Sequence, residues 1–411
     1  MIYRQQNRIV FDGVFSIAEL HPPLAGIHQA LNDGHDEIIL DFQVCEAAFP
    51  PSILSLAAQV MKLRDQGISF RLQLPNKLEL ARHFRNTNWA HFLDPSVYPP
   101  SQFRGFTHVP ATQFTTDVEQ RGAVYRIIDG MLGAVPNLDR RQLYALEWSI
   151  NEITDNVLVH AQSPIGGLVQ MTAFQRTKQR IEYVVVDAGV GICRTLRQAF
   201  PDVTSDVDAL RKAILEGVTR DASIGQGNGL YGSYQICSQS KGFFHMESGD
   251  GKLDFSEGRG LRVTTELVPY DGTLVAAQIN FSDPDLLAEA LSFGGRKYVP
   301  MDFVELKYEQ EGLTDIPFVI KDEAASFGSR VAGTPVRNKL FNLIQMCPGQ
   351  RIVLDFAEIP IISSSFADEA LGKLFVQLGP LAFAQRLEFR NLEPTVRQLL
   401  DRAIIQRASG K

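Results

Sequence analysis

Hydrophobic positions fall at helical and strand periods in three successive blocks. In the first, Glu37-Ile38-Ile39-Leu40-Asp41-Phe42 is a short run of strand type. From Ser52 to Gln66 the apolar residues Ile53, Leu56, Val60 and Leu63 are spaced by three and four, which predicts a helix. Ser69-Phe70-Arg71-Leu72-Gln73-Leu74 reads as another strand, and the Pro-rich stretch 95–100 as a boundary. The second block opens on a strong helix, Arg140 to Ala161, with apolar residues at Leu143, Leu146, Ile150, Ile153 and Val157. Strands are predicted at Gly167–Phe174 and Ile181–Val186. A polar, Gly-rich stretch and three more strands follow, at Phe243–Glu247, Leu261–Leu267 and Leu274–Phe281. The third block has a strand at Arg351–Phe356, a helix at Phe366–Leu378 and a strand at Arg386–Phe389.

Ile39-Leu40-Asp41-Phe42 and Val353-Leu354-Asp355-Phe356 each precede a loop and a helix. The matched order of strand, loop, helix and strand predicts that the first and third blocks are two copies of one small fold. Convergent β/α patterning is the alternative.

Composition narrows the class. The 411 residues suffice for two or three domains. With 45% apolar and 21% charged residues, the chain reads as an ordinary globular protein. A net charge of -7 without a dense Lys/Arg run argues against a nucleic-acid surface. No apolar run approaches the ~20 residues needed to span a bilayer, and the first residues lack a signal-peptide core. Cys45, Cys193, Cys237 and Cys347 are scattered without a CxxC pair. They are expected to be small core residues of a protein in a reducing cytoplasm.

Three polar motifs lie in the second block. Glu152 and Asn156, in Asn151-Glu152-Ile153-Thr154-Asp155-Asn156, are four apart and share one helix face. An amide oxygen there can ligate Mg²⁺, and the carboxylate can deprotonate a hydroxyl or water. The same pair also fits an ordinary solvated face. Val184-Val185-Val186-Asp187-Ala188-Gly189-Val190-Gly191 ends an apolar strand in a carboxylate, followed by glycines. Such an Asp can accept a hydrogen bond from an exocyclic amine, or simply form a turn. In Gly225-Gln226-Gly227-Asn228-Gly229, glycines precede a helix predicted from Ser233 to Ser238. They suit either phosphate oxygens at a helix N-terminus or a flexible loop. No GxxxxGK[ST] occurs, which excludes a P-loop.

In order, the chain offers E-x-x-x-N on a helix, a hairpin, D-x-G-x-G, a long lid, G-x-G-x-G, a helix, and Gly272-Thr273 opening a last strand. That ordered set resembles the Bergerat ATP-binding domain (GHKL) of gyrase, heat-shock chaperones, histidine kinases and MutL, over about 140–282. The resemblance implies an α/β (α+β) fold with a central α/β sandwich that binds ATP or ADP with Mg²⁺. It implies Glu152 as general base, Asn156 as magnesium ligand, and Asp187 on the adenine amine beside Gly189 and Gly191. Gly225, Gly227, Asn228 and Gly229 match the phosphate-side loop, and Thr273 the Thr that holds adenine through water. Asn-Glu-Ile-Thr-Asp-Asn-Val-Leu-Val-His resembles the anti-sigma-factor serine kinases more than sensor histidine kinases. His108 stands in a poor helix context for a phosphoacceptor, and His160 reads as a helix-end residue.

Around Asp355, the run Ile361-Ile362-Ser363-Ser364-Ser365-Phe366-Ala367-Asp368-Glu369 resembles STAS-like domains of the DUF4325 type, over about 318–405. These are distant relatives of anti-sigma-factor antagonists, whose serine at the start of this helix is phosphorylated. Ser364 or Ser365 matches that position, with simple capping as the alternative. The N-terminal copy offers at most Ser52 and is expected to be an unphosphorylated partner or scaffold. The expected organisation is a STAS-like domain at 1–104, a histidine kinase-like ATP-binding domain at 105–282, a connection at 283–317 and a STAS-like domain at 318–411. The expected function is a regulatory switch: a Mg-dependent ATPase or serine kinase acting on or through STAS-like domains, by protein partner or self-association. An ATP-driven dimerising clamp and a non-catalytic nucleotide-dependent interaction protein are the alternatives. No nucleic-acid or membrane partner is expected.

Overall fold

The computed structural model describes residues 1–101, 108–174, 180–218, 228–293, 296–297, 302–309, 314–324 and 326–409. The chain is of mixed α/β class with several sheets. It divides into two compact units. Described residues up to 124, with those from 145 to 297, form the first; residues 125–144, with those from 302 on, form the second.

The first unit begins with β1 (Ile2–Gln5), β2 (Arg8–Phe11), β3 (Gly13–Phe15), α1 (His21–Asn32), β4 (Glu37–Asp41) and β5 (Cys45–Ala48). Then come α2 (Pro50–Asp65), β6 (Ser69–Gln73), α3 (Leu78–Asn86) and α4 (Trp89–Leu93). Strands β2, β4 and β6 run parallel in that order, with β1 antiparallel at the edge; β3 and β5 make a separate parallel pair. Pro50 and Pro51 open α2, where a missing N–H costs nothing. Every residue from Ser52 to Met61 is buried, so α2 is covered on all sides.

The cover is a second sheet. It is built from β7 (His108–Phe114), β8 (Gly167–Phe174), β9 (Arg180–Asp187), β10 (Phe243–Ser256) and β11 (Gly260–Asn280). Its order is β10-β11-β9-β8-β7, with every neighbouring pair antiparallel. One apolar core runs from β2 and β4 through α2 to Leu168, Val184, Val186, Leu274 and Ala276 of this sheet. Side chains alternate along β9, so Tyr183 points the other way. Its hydroxyl lies 2.5 Å from Ser149 Oγ. Ser149 belongs to α6 (Arg140–Asn156), which follows α5 (Asp117–Ala134). The sheet is thus held between α2 and α6. The unit's remaining helices are α7 (Ile192–Ala199), α8 (Asp206–Ala213), α9 (Gly229–Gln239) and α10 (Leu286–Ala290), with a short antiparallel pair of β12 (Ser292–Phe293) and β13 (Arg296–Lys297).

Three sequence expectations are corrected here, and the expected helix Arg140–Ala161 is refined. The strands expected at Leu261–Leu267 and Leu274–Phe281 are one strand, β11, and β10 runs on to Ser256 instead of ending at Glu247. The sequence reading breaks the strand between Leu267 and Leu274, with Gly272-Thr273 opening the second part. However, Gly272 (φ +102°) faces irregular pairing at Gly249 (φ +59°), so both strands bend together and neither breaks. Gly272-Thr273 therefore lies inside β11. The long helix is α-helical to Asn156 and continues as a wider π turn, Val157–Ala161, ended by Gln162 at φ +49°. Finally, α9 begins at Gly229 rather than Ser233.

The second unit holds the turn between α5 and α6, then α11 (Phe303–Tyr308), β14 (Asp315–Val319), α12 (Ile320–Glu323), α13 (Arg330–Met346) and β15 (Arg351–Asp355). A π turn (Asp368–Gly372) joins α14 (Ser364–Ala367) to α15 (Lys373–Leu378). After it come α16 (Pro380–Arg386), β16 (Leu387–Arg390) and α17 (Pro394–Ala408). The sheet β14-β15-β16 is wholly parallel. The segment read as a connection, 283–317, thus carries elements of its own, and its end falls inside β14.

The two parallel sheets share a local design. Asp41 Oδ1 accepts from Gln43 N at 3.0 Å; Asp355 Oδ1 accepts from Ala357 N at 2.8 Å. Phe42 N donates to Gln73 O at 2.9 Å; Phe356 N donates to Arg390 O at 3.1 Å. Both phenylalanines are buried. In each sheet the strand-end Asp turns the chain while the following Phe enters the core.

Candidate functional site

Asp187 ends β9 and is 2% exposed. Its Oδ1 accepts from Gly189 N at 2.8 Å, and the Thr273 backbone N–H also bonds the carboxylate. Burial outweighs these bonds and pushes its pKa up to about 7. The following loop is fixed to the end of the helical segment of α6. Val190 N donates to Ala161 O at 2.8 Å, and a Cβ at Gly189 would lie 2.0 Å from that oxygen. Gly191 has φ +76°, and a Cβ there would come 2.6 Å from Ser248 Oγ. Close approach therefore requires glycine at both positions. Thr273 Oγ1 accepts from Ile192 N at 3.3 Å and closes the loop.

Five residues before Ala161, the same helical segment carries Asn156, with Glu152 one turn earlier. A Cβ added to Gly229 would lie 2.8 Å from Glu152 Oε2 and 3.4 Å from Asn156 Nδ2. The N-terminus of α9 thus sits on the acid–amide pair. Asn228 precedes it, accepting from Gly217 N at 2.9 Å through Oδ1. Burial raises the Glu152 pKa to about 7, with Asp155 adding repulsion. Gly225 and Gly227 lie outside the described residues.

The structure therefore joins Glu152, Asn156 and Gly229 in one place, and Asp187, Gly189, Gly191 and Thr273 in another, linked by the helix end at Ala161. Ser364 and Ser365 belong to the second unit. Ser363 is the N-cap, its Oγ accepting from Phe366 N at 3.0 Å and lying 3.0 Å from Ser365 Oγ. Ser364 is exposed and Ser365 half-buried. Ser52, by contrast, is buried and donates to Phe15 O at 2.8 Å. His108 lies in strand β7. The four cysteines are buried free thiols.

Sequence reading missed Tyr270 and Asp271, which join α2 to the Asp187 loop. Tyr270 OH donates to Asp187 O at 3.3 Å, and Gln59 Nε2 of α2 donates to Asp271 O at 2.6 Å. A long polar side chain, Gln59, between the apolar residues Ala58 and Val60 of α2 was the available signal. A cleft of about 440 Å³ beside them is lined by Lys62, Gly189, Arg194, Arg197 and Asp271, among others. Among the described residues, no group of three or more His, Cys, Asp or Glu side chains is placed to hold a metal. Among these residues, too, no helix is long and apolar enough to cross a membrane.

The fold of the second unit, a parallel sheet with interleaved helices, is of β/α type. Within it, residues 332–397 match the STAS-like domain of unknown function (DUF4325), so the chain carries a STAS-like domain. No curated protein matches the chain.

Proposed function

We propose that residues 105–282 form a Bergerat-type, histidine kinase-like ATP-binding domain, and that the chain is a nucleotide-dependent regulatory switch acting on or through STAS-like domains. One observation carries this reading: the start of α9 rests on Glu152 and Asn156, so closely that a Cβ at Gly229 would press on the Glu152 carboxylate. A helix N-terminus brings free N–H groups, an amide brings a magnesium ligand and a carboxylate brings a base. Together they suit Mg²⁺ and phosphates. In this reading Asp187 accepts the adenine amine and Asn156 binds the metal. Gly225, Gly227, Asn228 and Gly229 face the phosphates, and Thr273 backs the base. Bound Mg²⁺ would neutralise phosphate charge.

Glu152, with its pKa near 7, is half ionised at neutral pH and can take the proton of an attacking hydroxyl. The oxygen so freed forms a bond to the γ-phosphorus, and the bond from that phosphorus to the ADP oxygen breaks. Exposed Ser364, beside the Ser363 cap, is the acceptor this reading favours. The N-terminal sheet we take as a second, diverged STAS-like copy. Its support is the shared strand order and the paired designs at Asp41 and Asp355; its buried Ser52 suits an unphosphorylated role.

The test is incubation of wild type and Glu152→Ala with Mg·ATP, following phosphate release and intact mass. One added phosphate mapping to Ser364 or Ser365 supports the kinase reading, and free phosphate alone supports an ATPase. Equal behaviour of wild type and variant removes both.

A further inference from the structure

Helix α2 belongs to the N-terminal sheet, yet its Ser55, Gln59 and Lys62, spaced by four and three, face β11 at its bend. Gln59 Nε2 donates to Asp271 O at 2.6 Å, and Lys62 Nζ pairs with Asp271 Oδ2 at 3.0 Å. On either side of Asp271, the bend touches Asp187. Tyr270 OH donates to Asp187 O, and a Cβ at Gly272 would lie 2.3 Å from that same oxygen. Ser248 Oγ ties Gly272 O from β10 at 2.8 Å. The backbone that carries the strand-end carboxylate is therefore backed by a bend with two holders: its own sheet, and a helix from another part of the chain. Burial of Gln59 makes that second hold costly to lose.

We propose that Gln59 and Lys62 are positioning residues for the nucleotide site: through Asp271 they set the bend on which Asp187 rests, making the N-terminal segment an internal regulator of adenine binding. The inference rests on the ATP-binding reading above. Lys62 is also the cation whose field reaches Asp187 from outside the sheet; it favours the ionised carboxylate, while the neighbouring Tyr270 is neutral.

Calorimetric titration of the full chain with Mg·ADP across pH 5.5–8.5 tests this (about the range around the Asp187 midpoint). Lys62→Met is expected to weaken binding about tenfold at pH 7 and to move the pH midpoint of affinity upward, and Lys62→Arg to restore both. Gln59→Leu is expected to weaken binding at every pH without moving the midpoint. Affinity and midpoint unchanged in Lys62→Met, with wild type binding normally, would overturn the positioning role alone. Wild type that binds no adenine nucleotide would overturn the ATP-binding reading, and this inference with it.

Discussion

Gly229 stands directly against Glu152, close enough that a Cβ would come 2.8 Å from Oε2. The glycine is the first residue of α9 and has no positive φ, so alanine there removes freedom from the unfolded chain, worth about 0.4–1 kcal/mol. Gly229→Ala should therefore fold at least as well as wild type while displacing the Glu152 carboxylate. Thermal unfolding is expected to hold or rise slightly, and ATP turnover to fall by roughly tenfold or more. Unchanged turnover would mean that the carboxylate has no work at that place.

Two carboxyls of the site, Asp187 and Glu152, have pKa values pushed up to about 7 by burial. They separate by assay. Turnover should rise with pH through about 7 as Glu152 loses its proton, and Glu152→Gln should flatten that limb while losing roughly 10²- to 10⁴-fold in rate. Affinity for Mg·ADP reports Asp187 instead, so Asp187→Asn should abolish its pH dependence and weaken binding. A turnover limb near pH 7 that persists in Glu152→Gln sinks the assignment of the base.

What was legible in the sequence divides along physical lines. Periodicity located β8 to the residue and α6 to within its π turn, because buried faces repeat every two or 3.6 positions. The E-x-x-x-N pair and D-x-G-x-G announced themselves through glycine and charge where apolar residues are the rule. The bend at Tyr270-Asp271-Gly272 misled, since its turn residues are reconciled only by the matching irregularity of β10 across the sheet. The hold of Gln59 on Asp271 spans 212 positions, and no local pattern encodes a partner so distant.

In the second unit, the amide of Asn342 does the work of a turn. It is 0% exposed, accepts from Leu138 N at 3.0 Å, and donates to Leu132 O at 2.8 Å and Val135 O at 2.7 Å. Asn338 adds a bond to Gly133 O at 3.1 Å. Helix α13 of the STAS-like domain thereby satisfies backbone groups left open between α5 and α6. Asn342→Leu keeps the number and branching of side-chain heavy atoms but strands those groups, so it should cost about 2–4 kcal/mol, read as an earlier urea midpoint. A midpoint within error of wild type would show that the turn holds itself.

A buried charge cluster gives the first unit a stability profile that follows pH. Glu247 lies between His21 and His245: His21 Nε2 is 3.1 Å from Oε2, and His245 Nε2 is 3.0 Å from Oε1. Lys252 and Glu266 complete the group, and Asp254 meets His245 Nδ1 at 2.7 Å. Burial opposes every charge here, yet the imidazoles hold Glu247 down at about 2, and Glu247 in turn raises both histidines. The depressed carboxyl contributes stability above its ordinary value of 4.5, lost as pH falls toward 2. The raised histidines contribute below 6.5, and that part is lost as pH climbs through their folded values. Both contributions are complete only between about 4.5 and 6.5. The Tm difference between wild type and Glu247→Gln should therefore be largest near pH 5.5 and shrink on either side. Removing one partner of a buried group is costly, so a gap of several degrees is expected there. A gap that stays constant from pH 4 to pH 8 would show that Glu247 acts through packing and not through its charge.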